Sequence, residues 1–203
     1  QFGFNGAVAA RYVEGHLRKK DHQFNKELLN GMSAIEWCEK NKIQLLIESP
    51  HTSGGQEGLT RLFHPIQMYA LCRKINSPYF NMTIDFEQTM ANKIDLDKLI
   101  PTLPNDFGKY VFLFHLGDPI PYFGTAHIPI AIGSHGQEVL YTWLYAMKQK
   151  GFNHGYIIFE RGGGRSGGGK TMAEVFEHSV FTLRQMVKYL DKDVRPKDLP
   201  PEF

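Results

Sequence analysis

Glu14, His16, Glu48, Asp85, His115 and Glu160 each close or directly follow a short apolar run of the chain. Carboxylates and imidazoles gathered at one point make a mixed oxygen and nitrogen site suited to Mn²⁺, Mg²⁺, Co²⁺ or Zn²⁺, with no thiolate to select a softer ion. The same groups can act as general acids and bases. Each of them singly has a plainer use, capping a neighbouring helix or pairing with a lysine; what points to chemistry is that every run ends this way. A second pattern, Gly164 to Thr171, fits the phosphate-binding string G-x-x-x-x-G-K-T between a strand pattern and a helix pattern. Such a loop wraps backbone N–H groups around phosphates at a helix N-terminus. Only one helical pattern follows Thr171, however, where a nucleotide-binding domain of that kind has several more strands. Three readings stay open: a nucleotide site, a loop touching a sugar or phosphate, and a linker. Arg161, Arg165 and Lys170 supply its positive charge and are the candidate substrate- or phosphate-binding residues.

The elements that must position these groups follow from hydrophobic period. Apolar runs at 8–13, 43–47, 79–84, 110–116 and 156–159 alternate with helical patterns at 25–39, 59–75, 95–103, 137–150 and 171–190. That alternation predicts βα units around a parallel sheet, and the near-continuous runs fit strands covered on both sides or closed into a barrel. In such folds ligands meet the carboxyl ends of the strands, which is where the chemistry-bearing residues fall. No linker interrupts the pattern, so residues 1–203 read as one domain, with the proline-bearing stretch 194–203 as an extended tail.

Four strings carry a resemblance: Ile47-Glu48-Ser49-Pro50 with its following glycines, Ile84-Asp85-Phe86-Glu87-Gln88, Phe114-His115-Leu116-Gly117-Asp118 with Gly124 and His127, and Ile158-Phe159-Glu160-Arg161. Together they resemble the xylose isomerase-like TIM barrels, a superfamily that includes sugar isomerases, epimerases and endonuclease IV. The resemblance covers almost the whole chain. It implies a (β/α)8 barrel of which strands four to eight are present and about the first three are lacking, since a complete barrel takes about 250 residues. It also implies a divalent metal ion on Glu48, Asp85, His115 and Glu160, with Glu48 and Glu160 as the catalytic carboxylates. His16, His127 and Gln88 would be additional metal or substrate residues. Endonuclease IV has histidine where this chain has Gln88 and aspartate where it has Thr125, so the resemblance favours a single-metal isomerase or epimerase acting on a sugar-like substrate. The alternatives are a phosphodiesterase acting on abasic DNA and a non-catalytic barrel subunit. An open barrel edge implies a second copy or a companion chain that completes it.

Composition sets the outer bounds. With 42% apolar and 22% charged residues the chain can bury a substantial core, and a net charge of +2 does not by itself point to nucleic acid or a membrane surface. No stretch reaches the roughly 18 to 20 apolar residues of a membrane span. Cys38 and Cys72 lack metal or redox spacing and read as buried reduced thiols, which suggests a cytoplasmic setting. The start at Gln1 suggests a fragment. His51, His64, His135 and His154 read as solvated or locally hydrogen-bonded. Trp37, Tyr69, Trp143, Tyr145, Phe176 and Tyr189 fall at helical spacing and read as packing residues, while Phe86, Tyr122 and Phe123 either pack or form a wall for a sugar ring.

Overall fold

Capping residues set where the helices begin in the computed structural model, which describes residues 3–4, 33–48, 64–118, 135–159 and 172–203. Helix α1 spans Ala34–Asn41, because the Ser33 hydroxyl accepts from the Glu36 N–H at 3.2 Å while the Glu36 carboxylate accepts from the Ser33 N–H at 2.7 Å. This reciprocal cap places the helix start at Ala34, nine residues later than periodicity predicts, with residues 25–32 outside the described ones. Helix α2, Pro65–Ile75, starts with proline in its first turn behind the cap residue His64. Short helix α3, Phe86–Ala91, follows strand β3 without a loop, and its six residues are too few to show a helical period. Helix α4, Leu96–Thr102, is capped by Asp95, and a 3-10 turn at Phe107–Tyr110 leads into strand β4. Helices α5, Gly136–Gln149, and α6, Met172–Asp191, are the long ones.

Strands β1, Gly3–Phe4, β2, Leu45–Glu48, β3, Phe80–Asp85, β4, Val111–His115, and β5, Tyr156–Ile158, form one parallel sheet in sequential order. The expected first strand at 8–13 lies outside the described residues. Among the described strands sequential order leaves no point at which the winding reverses, and right-handed crossovers then bring the described helices to the same face. The packing agrees. Ile47, Met82, Ile84, Phe114 and Ile157, which are register neighbours, join the core contributed by Met68, Tyr69 and Cys72 of α2, Leu99 and Ile100 of α4, Leu140 and Leu144 of α5, and Leu183, Met186 and Leu190 of α6. Phe86 and Phe114 meet at a tilt with ring centroids 5.4 Å apart, and Trp143 meets Phe86 edge-on at 5.5 Å. Phe86 is therefore a core residue and not part of a ring-stacking wall; Tyr122 and Phe123 lie outside the described residues.

The other face carries Leu46, Glu48, Asn81, Thr83, Asp85, Leu113, His115, Tyr156 and Ile158. A register shift between Met82 and Thr83 brings the end of β4 onto it: Val111 pairs with Met82 on the core side, yet Leu113 pairs with Thr83 and His115 with Asp85 on the opposite side. The extra residue, Phe112, turns the end of β4 over, as a β-bulge does. Without it His115 would follow the alternation of Val111 into the hydrophobic core.

Two expectations are corrected. The tail is not simply extended: a 3-10 turn at Pro196–Asp198 folds it back, and Phe203 packs on Tyr141 and Tyr189 at 5.1 and 5.3 Å. Phe176 of α6 is 54% exposed and does not pack in the core, whereas Trp37, Tyr69 and Trp143 are buried as predicted.

Gly155 enters β5 at φ +100, and a Cβ there would stand 2.3 Å from the Phe112 carbonyl oxygen. Gly155→Ala should therefore cost about 2–4 kcal/mol in urea unfolding; a loss under about 1 kcal/mol would contradict this close approach. His64 caps α2 through Nδ1, which accepts from the Ile66 N–H at 3.2 Å, and burial holds its pKa below the usual histidine value. The unfolded chain thus binds the His64 proton more readily, so stability should fall as pH drops below about 6.5 and through the lowered folded value. His64→Asn, which keeps a capping oxygen, should show a smaller drop in Tm between pH 7 and 5 than the parent chain.

Candidate metal centre

Glu48, Asp85 and His115 are the last residues of β2, β3 and β4, three neighbouring strands of the sheet. Parallel pairing puts Asp85 beside His115, and Glu48 beside Thr83 on that same face, so the three side chains converge at one carboxyl end. His115 Nδ1 stands 2.9 Å from Glu48 Oε1 and 3.7 Å from Asp85 Oδ2. One ligand atom from each residue lies within 4.8 Å of the others. Donors bonded to one ion at about 2.0 to 2.2 Å lie at most about 4.4 Å apart, so side-chain adjustments of a few tenths of an ångström close the set around a cation.

Burial makes the cluster demanding. The side chains of Glu48, Asp85 and His115 are 9, 3 and 8% exposed. Two carboxylates this close and this dry repel each other and have lost most of their hydration, a cost that a divalent cation offsets. Two oxygens and an imidazole nitrogen are hard to borderline donors, which fits Mn²⁺, Mg²⁺, Co²⁺ or Zn²⁺.

The supporting contacts come from α3. Asp85 Oδ1 accepts from the Gln88 N–H at 2.8 Å, so the residue that ends β3 also caps the helix that follows it. Thr89 Oγ1 donates to the Asp85 carbonyl at 2.6 Å, fixing the strand-to-helix corner. One turn into α3, Gln88 reaches back across the site and its Nε2 donates to Glu48 Oε1 at 3.1 Å. Sequence reading placed Gln88 among additional metal or substrate residues; in the structure its amide nitrogen faces Glu48.

Two further acids at this end of the sheet escaped sequence reading. Asp118 is fully buried just beyond β4 and accepts from the backbone N–H of His135 at 3.0 Å and of Gly136 at 3.1 Å, holding the start of α5 against the end of β4. Its partners lie far along the chain, so no local spacing announces them. Glu87 is buried against Gly117, where a Cβ would come within 2.5 Å of the Glu87 Oε1. The glycine thus makes room for a carboxylate.

Glu160, His16, His127, Thr125, His51, Arg161, Arg165, Lys170 and the glycine-rich string around them lie outside the described residues. His154 meets Asn153 Oδ1 at 3.1 Å, a local contact of the expected kind, whereas His135 packs its ring on Trp143 at 5.1 Å with Nδ1 3.5 Å from Asp118 Oδ1, seventeen positions away. Cys38 and Cys72 are free and buried, and burial pushes their thiol pKa values to about 11 and about 12. Neither is a nucleophile at neutral pH. Among the described residues no helix is long and apolar enough to cross a membrane.

No family model matches the chain, and no curated protein matches its sequence.

Asp85 caps α3 and is also a candidate ligand, and the two roles are separable. Asn also caps helices well, so Asp85→Asn should leave the metal-free melting temperature within a few degrees. Removing a ligand charge should weaken Mn²⁺ binding at least about tenfold by calorimetry. Equal affinity for Mn²⁺ in the two proteins would count against Asp85 as a ligand.

Proposed function

We propose that this chain is the strand-four-to-eight part of a (β/α)8 barrel and a divalent-metal-dependent isomerase or epimerase acting on a sugar or sugar-like substrate. The observation that carries this reading is the meeting of Glu48, Asp85 and His115, buried, at the carboxyl ends of three successive parallel strands. Sequential winding with helices on one face supports the barrel, because an open doubly wound sheet has a reversal in its strand order.

Glu48, Asp85 and His115 would hold the ion, joined by Glu160 as the resemblance implies. When bound, the ion supplies Lewis-acid polarisation of a carbonyl and a neighbouring hydroxyl of the substrate. Glu48 and Glu160 are the proton carriers. One carboxylate takes the proton from the carbon beside the carbonyl, leaving an enediolate; the other returns a proton, to the opposite face of that carbon in an epimerase, or to the former carbonyl carbon in an isomerase, where the neighbouring hydroxyl proton passes to the former carbonyl oxygen as the new carbonyl forms. Arg161, Arg165 and Lys170 would bind a phosphate or polar end of the substrate. Tyr156 and Ile158 of β5 are 45% and 41% exposed, and β5 has a single strand neighbour among the described residues. A second copy or a companion chain that extends the sheet there fits both facts. The free buried thiols fit a cytoplasmic setting.

Elemental analysis of protein purified without chelator tests the centre. We expect about one Mn, Mg, Co or Zn per chain, lost in Glu48→Gln and in His115→Ala. A panel of aldoses and ketoses in deuterated water should then show deuterium entering one carbon, at a rate about 10²- to 10⁴-fold lower in Glu48→Gln. Two or three zincs together with cleavage of abasic duplex would replace this reading with the phosphodiesterase. No bound metal even after metal is added back would leave a non-catalytic subunit.

A further inference from the structure

We propose that Gln88 is the positioning residue of the centre: its amide nitrogen holds Glu48 in the orientation that faces Asp85 and His115, and its buried amide oxygen receives a donor from what binds there. The inference rests on the metal reading above and goes beyond it, since it separates a residue that holds a ligand from the ligands themselves.

The chemistry of the contact assigns the amide. A carboxylate oxygen only accepts, so the Gln88 atom 3.1 Å from Glu48 Oε1 must be the NH₂ group, and the amide oxygen points away. That oxygen is buried and has no hydrogen-bond partner among the described residues. A buried acceptor left this way is costly, and an O–H donor such as a water or hydroxyl bound beside it would offset that cost. Gln88 is itself fixed from the backbone side, where its N–H is held by Asp85 Oδ1 at 2.8 Å. One residue therefore touches two of the three candidate ligands, one through main chain and one through side chain.

The contact also survives a change that the His115 contact does not. His115 Nδ1 and Gln88 Nε2 both approach Glu48 Oε1. A nitrogen that ligates a cation turns its lone pair to the ion and cannot also donate to Glu48. The amide of Gln88 has no such second duty and can keep Glu48 in place throughout, as outer partners of metal ligands do.

Gln88→Met tests this, because methionine has similar length and helix propensity and no amide; Gln88→Leu is the second variant should the first fail to fold. Each is compared with the parent for metal-free melting, for Mn²⁺ affinity by calorimetry, and for the visible spectrum of bound Co²⁺, which reports coordination geometry and which a purely structural role would not alter. We expect unchanged metal-free melting, affinity reduced about 10- to 100-fold at the same stoichiometry, and an altered Co²⁺ spectrum. Parent-like affinity or a parent-like spectrum in a folded variant overturns the role of Gln88 while leaving the metal centre standing. If the parent chain binds neither Mn²⁺ nor Co²⁺, the metal reading fails and this inference falls with it.

Discussion

Two carboxylates and an imidazole, held within 4.8 Å of one another with little access to water, are the constraint on which the arrangement of the rest depends. Left alone, such a cluster favours moving apart. It stays together because each residue is the last of a strand whose neighbours are fixed by parallel pairing, and because the opposite face of those strands carries the hydrophobic core. Burial of Met82, Ile84, Phe86 and Phe114 stabilises the sheet by about 1.5–3 kcal/mol per side chain. That stabilisation lies on the far side of the sheet, so the polar face can be arranged for binding with little loss of core.

The bulge at Phe112 links the two faces. Val111 belongs to the core and His115 to the site, four residues later, which regular alternation forbids. A local disruption of pairing thus delivers an imidazole to the carboxylates, and the Gly155 backbone lies tight against the carbonyl of that same Phe112. Capping works in the same economy: Asp85 serves both the site and the start of α3, and Asp118 fastens the start of α5 to the end of β4. Acidic side chains at helix N-termini are favoured by the helix dipole, so part of the negative charge at this end of the sheet is already balanced by backbone.

The strand ends were legible in the sequence because each apolar run is short and stops at a charged residue: Glu48, Asp85 and His115 can be read off in order. Their convergence was legible only through the alternation of strands and helices, which fixes that successive strands share a carboxyl end. What could not be read was anything set by tertiary pairing. The Phe112 bulge has no local signature, α3 is shorter than a helical period reveals, and Asp118 meets partners seventeen and eighteen positions away. The start of α1 was legible in principle, since Ser33 and Glu36 have the capping-box spacing, but the apolar period upstream outweighed it. Phe176 fits a helical period yet lies outside the core, because periodicity marks an apolar face without saying what covers it.

The character of the centre bears on which chemistry it suits. Displacement at a phosphodiester is served by paired ions that stabilise both the attacking and the leaving oxygen, and pairing ions requires carboxylates free to bridge them. Here Glu48 Oε1 is already approached by Gln88, whose amide nitrogen is a donor with no affinity for a cation. Proton transfer beside a carbonyl asks for less: one polarising centre, a carboxylate held in a fixed orientation, and an acceptor for a hydroxyl. Glu48 held by Gln88 supplies the second of these from a single contact, which is why we favour the isomerase or epimerase reading over the phosphodiesterase.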